Sequence, residues 1–402
     1  MHVENDADTS SKAARPPGRP AIGPRIGIIG GGQLARMIAI AAQPLGNDIV
    51  VLERTPHYPA SAVATQALVG DWNSLAPLQD LAARVDLVTL ENEFVDAGLL
   101  AELEKAGHTV LPSARTLGLV QDKLIQKQTL QAAGLPVPQL LDTPDLKTLG
   151  AAAQAFGFPF LLKARRNGYD GKGNVTVRAA SELEGAWQKL GGDRGNALFA
   201  EAWCPFVREL AVIITRGRRG ESAVYPVVET VQRDHICHIV RAPATGAPEV
   251  LARAGDVANR AVAAVGAVGS FGVELFQLAD GSIVVNELAP RVHNSGHYTI
   301  EGCVCSQFEN HVRAVLGLPL GSPRLIAPAV MVNLIGTAKA AGHPQGLERA
   351  LAVPGAHVHL YGKAVSAAGR KMGHVTAVAD TLAAAEETAV RAANHIVFGG
   401  PA

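Results

Sequence analysis

Val284-Val-Asn-Glu-Leu-Ala-Pro-Arg-Val-His-Asn-Ser-Gly-His297 joins an apolar strand directly to a run of polar groups. Ser282-Ile-Val-Val285 reads as the strand, and Asn286 and Glu287 stand at its end. A carboxylate and an amide there offer oxygen ligands to a hard cation. Pro290 stops the strand, and Arg291, His293, Asn294, Ser295 and His297 follow. Arginine and histidine in that position hold and polarise an anionic substrate. A solvated turn needs no such variety, whereas loops behind buried strands concentrate function in this way.

Just upstream, Gly272-Val-Glu-Leu-Phe276 reads as a second strand, with Asp280-Gly281 as the hairpin turn between the two. The pairing puts Glu274 and Glu287 on adjacent antiparallel strands, where side chains approach closely. Two such carboxylates repel unless a cation lies between them. Mg²⁺ bridging to nucleotide phosphates resolves that conflict.

Further upstream, Phe158-Pro-Phe-Leu-Leu-Lys163 and Val175-Thr-Val177 flank Ala164-Arg-Arg-Asn-Gly-Tyr-Asp-Gly-Lys-Gly-Asn174. Gly168, Gly171 and Gly173 let this hairpin loop fold over a phosphate chain with N–H donors aimed at it. Lys163 and Lys172 add point charges suited to phosphate. The strand–GxxxxGK[ST]–helix order of a P-loop is absent. Lys123 sits on the first turn of a helical run over 120–133. A strand ending near Ala200 reaches Glu201-Ala-Trp-Cys204, whose backbone can meet an adenine edge. Glu209 starts a long apolar strand over 206–214, and a buried acid there suits a pair of ribose hydroxyls. Residues 222–228 read as its partner strand, and residues 255–268 as an amphipathic helix. His235-Ile-Cys-His238 alternates on a strand and lacks the further ligands a metal site needs.

The N-terminal third alternates strands and helices. Arg25-Ile-Gly-Ile-Ile29, Gly30-Gly31-Gly32, and a helix from Gln33 satisfy the pattern Gly30-x-Gly32-x-x-Ala35, with Glu53 after the next strand. That is a dinucleotide fingerprint. The same geometry also serves a phosphorylated substrate, with Gln33 supplying an amide. A strand over 86–90 runs into Glu91-Asn-Glu93, so one of Glu91 and Glu93 is expected at the ligand end of a parallel sheet. Near the C-terminus, Arg370 and Lys371 form a basic pair able to hold a phosphate. Residues 381–398 read as a closing helix.

The chain has 402 residues with zero formal net charge, so composition gives no support for a nucleic-acid or membrane partner. Four cysteines without paired zinc spacing read as reduced thiols, which implies a cytoplasmic protein. Residues 1–24 are polar and proline-containing without an apolar core, and read as a disordered leader.

Taken together, Gly30-Gly-Gly-Gln-Leu-Ala-Arg-Met37, Glu91-Asn-Glu-Phe94, Gly168-Tyr-Asp-Gly-Lys-Gly173, Asn286-to-His297, Ser306-Gln-Phe-Glu309 and Gly369-Arg-Lys-Met-Gly-His374 resemble the N5-carboxyaminoimidazole ribonucleotide synthetase family of the ATP-grasp superfamily. The resemblance spans residues 25 to 395. It implies an α/β chain with the ATP-grasp fold: an N-terminal doubly wound parallel-sheet domain over 25–122, and an ATP-grasp region over 123–327. A small α+β lid occupies 158–204, and an antiparallel α+β part over 328–402 completes the chain. It implies carboxylation of 5-aminoimidazole ribonucleotide by ATP and bicarbonate through carboxyphosphate, in a homodimer.

The resemblance also assigns residues. Two Mg²⁺ ions, replaceable by Mn²⁺, would sit on Glu274 and Glu287. Lys123, Lys163, Gly168, Gly171, Lys172, Gly173, Asn174, Glu201, Ala202, Trp203, Cys204, Glu209, His235, Asn286 and Glu287 would surround ATP. Gln33, Leu34, Glu91, Lys363, Arg370 and Lys371 would hold the ribonucleotide, and Tyr169, Asp170, Arg291 and His293 would act on it. The family usually has glycine where Ala35 stands, and arginine is also common at Lys123. Two rivals predict other outcomes: a dinucleotide-dependent oxidoreductase built on the Gly30 loop and Glu53, and a non-catalytic nucleotide-binding protein of the same fold.

Overall fold

The computed structural model of the chain describes residues 23–168 and 173–399. Tyr169, Asp170, Gly171, Lys172 and nearly all of the expected leader lie outside the described residues. Three sheets organise the molecule.

The first is parallel: β1 (Arg25–Ile29), β2 (Asp48–Glu53), β3 (Gln66–Val69) and β4 (Leu87–Leu90) in the order β3-β2-β1-β4. The strands read as near-continuous apolar runs because both faces are covered. α1 (Gln33–Ala42) packs on one face. α2 (Leu75–Ala83), α3 (Ala97–Lys105) and α4 (Ala114–Gln121) pack on the other. The strand order reverses between β1 and β4, and there the Gly30 loop and Glu91-Asn-Glu93 emerge side by side. Ligands bind at such switch points.

The helical run expected over 120–133 is two helices, α4 and α5 (Lys123–Ala132), broken at Asp122. The Asp122 carboxylate caps α5 by accepting from the N–H groups of Leu124 and Ile125 at 3.1 and 3.2 Å. An aspartate in extended conformation starts a helix better than it continues one.

The second sheet is antiparallel and contains the expected lid: β5 (Leu140–Asp142), β6 (Phe160–Ala164), β7 (Asn174–Val177) and β8 (Leu198–Ala202), in the order β5-β8-β6-β7. It begins before the expected residue 158, because β5 pairs with β8. α6 (Leu146–Phe156) and α7 (Leu183–Lys189) cover one face with Phe160, Leu162, Trp187 and Leu198. The other face carries Lys163 and Glu201 towards α5.

The third sheet is antiparallel and has nine strands. It contains β9 (Phe206–Arg216), β10 (Ser222–Val224), β11 (Val228–Arg233), β12 (Ile236–Ala242), β13 (Gly269–Leu278) and β14 (Ile283–Ala289). Beyond the two-residue pair β16 (Ala340–Ala341) and β18 (Val365–Ser366), it continues in β15 (Ala329–Ile335), β17 (Ala356–Leu360) and β19 (Lys371–Val378). Its order is β14-β13-β9-β11-β12-β15-β19-β17, with β10 beside β9. The single strand expected over 222–228 is split into β10 and β11, because Pro226 has no N–H to give a ladder.

α8 (Pro248–Ala264) starts seven residues before the expected Gly255, with proline at its first position, where the missing N–H costs nothing. Its alanine face packs on Leu210, Val212, Ile214, Val273 and Leu275. Each such aliphatic side chain removed from water stabilises by roughly 1.5–3 kcal/mol. The alternate residues Glu209, Ala211 and Glu274 therefore face the opposite side. There α9 (Thr299–Gly302) and α10 (Gln307–Leu316) close the sheet and join it to α1. After α11 (Leu347–Leu351), the final helix α12 (Leu382–Ala393) covers β15 and β19 and ends before the expected Phe398.

Candidate active site

The β13–β14 register sets Glu274 directly opposite Glu287. One step further, Leu275 pairs with Val285, so Asn286 is an extra residue in β14. Such a bulge turns two successive side chains to one side. Asn286 Nδ2 accordingly donates to Glu274 Oε2 at 3.3 Å, while Glu287 Oε2 accepts from Lys123 Nζ at 2.7 Å. Enclosure by the protein, then repulsion from Glu287 and Glu209, raise the Glu274 carboxyl to about 7, although 42% of its side chain is open to the cleft. Lys123 runs the other way: burial opposes its charge, but Glu287, Glu274 and Glu93 together hold it above the ordinary lysine value. Two carboxylates and an amide leave most positions of a six-coordinate cation to phosphate oxygens and water, as Mg²⁺ requires. The residues present fit that ion.

Beyond Pro290 the loop turns into the same cleft. Arg291 forms a two-point pair with Glu93, Nε to Oε2 at 2.5 Å and Nη2 to Oε1 at 2.8 Å. Burial disfavours the Glu93 charge, but Arg291 outweighs it and holds the carboxyl below its usual value. His293 Nδ1 lies 2.9 Å from Ser295 Oγ and accepts from the Ser295 N–H at 3.4 Å as the cap of the following turn; on that donor we assign the ring proton to Nε2, which faces Glu274 Oε1 at 3.6 Å. Burial, with Arg291 and Lys371 nearby, lowers His293 to about 3 and keeps it neutral. A cleft of about 340 Å³ opens beside these groups, lined by Glu93, Lys123, Asn167, Gly168, Glu287 and Pro290 among others.

Under the lid, Lys163 Nζ donates to Glu201 Oε1 at 2.6 Å, and Lys127 pairs with Glu201 Oε2. Burial disfavours the Glu201 charge, yet the two lysines bring its carboxyl down to about 2. Lys127 went unread in the sequence, although its spacing of four from Lys123 places both on one helix face. Gln126 was also missed. Its amide donates to Leu288 O at 3.1 Å and accepts from Leu288 N at 2.8 Å, which ties β14 to α5 and sets Glu287 beside Lys123. Arg165 binds Asp122 at 2.8 Å and so anchors the lid strand to the start of α5.

The remaining expected site residues lie around this centre. Glu209 is raised by burial, with a hydrogen bond from Gln232 and the nearby His235 opposing, which brings Glu209 and His235 together. His235 occupies the β11–β12 turn with φ +63. Trp203 is exposed and Cys204 half-buried after β8, beside Ala202, whose N–H is bound to Gln139 O at 2.9 Å. Gly173 and Asn174 close the lid loop. Lys363 Nζ donates to Lys371 O at 2.7 Å, and the exposed Arg370 donates to Val365 O at 2.6 Å. Lys371 stands close enough to Glu274 to oppose its neutralisation. Gln33 is half-buried at the start of α1, whereas the Leu34 side chain points into the core, so only its backbone is available to a ligand.

The glycine loop is filled from within. Glu53 Oε2 accepts the Gly31 N–H at 2.9 Å, and the Glu91 carboxylate accepts from Gly32 and Ala35. Gly30 has φ +95, and a Cβ there would lie 2.4 Å from the Glu91 side chain. These carboxylates occupy the helix N-terminus where a pyrophosphate would bind. The oxidoreductase reading therefore has no support: its acidic residue and its anion site are both engaged.

Comparison with known proteins gives three adjoining family models. Residues 24–121 match the ribonucleotide synthetase preATP-grasp domain, 128–308 the ATP-grasp domain, and 329–388 the phosphoribosylaminoimidazole carboxylase C-terminal domain. The chain is 43% identical to the N5-carboxyaminoimidazole ribonucleotide synthase of Synechococcus elongatus, over 87% of this chain and 88% of that one. It is 42% identical to the chloroplastic phosphoribosylaminoimidazole carboxylase of Vigna aconitifolia, over 90% of this chain, but spans only 65% of that longer protein. The crystal structure of the Thermus thermophilus synthetase superposes with a TM-score of 0.84 at 40% identity, covering 94% of this chain and 99% of that one. The Aspergillus clavatus synthase, in complex with ADP and 5-aminoimidazole ribonucleotide, gives 0.85 at 35% identity, covering 93% and 99%.

Proposed function

The chain belongs to the N5-carboxyaminoimidazole ribonucleotide synthetase family, and on that premise we propose that it is an ATP-dependent ligase of purine biosynthesis. It carboxylates 5-aminoimidazole ribonucleotide with bicarbonate, giving N5-carboxyaminoimidazole ribonucleotide, ADP and phosphate. The observation that carries this reading is the Glu274–Glu287 pair across one hairpin, with Lys123, Arg291 and His293 in the same cleft. The limits of the three family models support the division into 25–122, 123–327 and 328–402. The absence of a disulfide among the four cysteines of the described residues supports a reducing, cytoplasmic setting. The homodimer rests on the family likeness alone.

Bicarbonate is a poor electrophile. An oxygen of bicarbonate attacks the γ-phosphorus, ADP leaves, and carboxyphosphate forms. The ring amine then attacks its carboxyl carbon, phosphate leaves, and the nitrogen gives up one proton. Little covalent chemistry falls to the protein, so positioning and charge neutralisation dominate. Mg²⁺ held by Glu274 and Glu287 would neutralise the charge on the transferring phosphoryl group when bound. Lys123 and Lys163 supply fixed positive charge beside the phosphates. Arg291, held flat by Glu93, is suited to a carboxylate-like anion such as bicarbonate. Neutral His293 directs an N–H into the cleft. Lys363, Arg370 and Lys371 present cations to the ribonucleotide phosphate. Asp170 is assigned the amine proton.

ADP release measured with and without 5-aminoimidazole ribonucleotide and bicarbonate tests the assignment. Turnover that needs both is expected. Release indifferent to both would overturn it.

A further inference from the structure

Glu201 is 1% exposed and holds a different lysine on each carboxylate oxygen. Lys163 comes from β6 of the lid, like Glu201 itself from β8. Lys127 comes from α5, outside the lid, and is 3% exposed. A lone buried Glu201–Lys163 pair would be neutral, and the lysine charge would be spent inside the protein. The second lysine leaves the group with a net positive charge. Lys163, 12% exposed, is the member nearer solvent and the one able to offer that charge outward. Nothing in the reaction scheme uses Lys127. Yet burying an ammonium is costly unless it is paired, so its retention there has a specific consequence.

We propose that Lys127 is a positioning residue for the nucleotide: by occupying one oxygen of Glu201, it frees the charge of Lys163 for the phosphates. This rests on the ligase assignment for the identity of the nucleotide. It adds a residue outside the set expected to touch it. Lys127 faces Glu201 and Lys163 from the lid, with Cys204 beyond β8, Glu287 from β14 and Lys123 one turn earlier on its own helix. Burial and the neighbouring Lys163 bring Lys127 down to about 8, so its charge is lost within an accessible pH range.

The test is calorimetric titration of the full chain with Mg²⁺-ADP, alongside steady-state kinetics. Lys127→Met should weaken ADP binding about tenfold and raise KM for ATP to match, with kcat at saturating ATP within about twofold. The double variant Lys127→Met/Glu201→Gln restores a lone, unpaired Lys163 and should recover most of that loss. Wild-type affinity should fall as pH rises through 8, and Lys127→Met should lack that limb; a purely structural residue would move neither. Should Lys127→Met fail to fold, Lys127→Arg carries the test: its charge is not lost on titration, so its ADP affinity should stay level as pH rises through 8 where that of wild type falls, and a parallel fall in both would overturn the proposal. Lys127→Met binding like wild type, or a double variant no better than the single, would overturn the proposal. Wild-type turnover that needs both bicarbonate and the ribonucleotide upholds the ligase assignment whatever the variants do.

Discussion

Arg291 and Glu93 meet edge to edge across the boundary between the parallel sheet and the large antiparallel sheet, with two contacts of 2.5 and 2.8 Å. Neither residue has freedom to turn, because a guanidinium and a carboxylate joined at two points share one plane. Glu93 therefore sets the orientation of Arg291 without needing to touch substrate. Glu93→Gln keeps the size and one acceptor but removes the charge. We expect kcat/KM for the ribonucleotide to fall about 30-fold, roughly 2 kcal/mol, with KM for ATP changed by less than about twofold. Equal losses for both substrates would show that the pair supports the fold and does not direct Arg291.

Glu274 gives a pH signature with a definite sign. Its carboxyl is raised to about 7 in the folded protein, above its ordinary value of 4.5. The favourable contribution of the protonated form is therefore complete below pH 4.5 and is lost as pH rises through 7. The ligand-free protein should show a Tm that declines from pH 5 to pH 8, and Glu274→Gln should flatten that decline. Because the side chain is substantially open to the cleft, the slope will be modest. Binding of Mg²⁺-nucleotide requires the ionised form, so at pH 6.5 it should release a proton. Calorimetry in buffers of different ionisation heat reads that release directly, and Glu274→Gln should abolish it. A proton count of zero in wild type would contradict the metal assignment to this pair.

Asp122 does two jobs at the point where the lid strand meets α5. It caps the helix through Leu124 and Ile125 and holds Arg165 at 2.8 Å. Loss of a cap costs about 1 kcal/mol, and loss of a charge-assisted contact about 1–2 kcal/mol more. Asp122→Ala should lower the unfolding free energy by about 2–3 kcal/mol, seen as a lower urea midpoint at unchanged slope. Asp122→Asn, which keeps the cap, should recover about half of that.

The hairpin was legible in alternation and in Asp280-Gly281, and a two-residue turn there does set Glu274 opposite Glu287. Yet the strands beside the turn pair Gln277 with Ile283 and Phe276 with Val284, one residue out of that register, and the extra residue Asn286 restores it. The sequence could not show the bulge at Asn286: one inserted residue leaves no local pattern, and only the pairing of Leu275 with Val285 reveals it. Lys127 escaped for a related reason. A lysine four residues after another reads as a solvated face, and it is the lid folding over α5 that buries it. The Gly30 pattern misleads in the opposite sense. A helix N-terminus accepts any anion, and the chain's own Glu91 serves as well as a ligand phosphate. The break at Asp122 and the split at Pro226 were written in residues with clear preferences, which the apolar runs around them outweighed.

Gly272 shows how closely the cleft is built on the sheet. It stands two residues before Glu274 on β13, facing the same side, and a Cβ there would lie 2.4 Å from Cγ of His293 and 2.5 Å from its Cβ. Backbone strain is not the issue; the imidazole lies flat on the strand where any side chain would project. The loop cannot yield freely, because Gln307 holds it at both ends, accepting from His293 N at 2.9 Å and donating to His293 O at 2.7 Å. Gly272→Ala must therefore push the His293 ring away from Glu274, at a cost of about 1–3 kcal/mol in stability. The expected result is a folded protein that binds ADP normally but loses kcat with the ribonucleotide by about tenfold or more. Gly272→Ala combined with His293→Ala removes the clash and should regain stability without regaining turnover. If the single variant is as active as wild type, the placement of His293 in the cleft has no bearing on the chemistry.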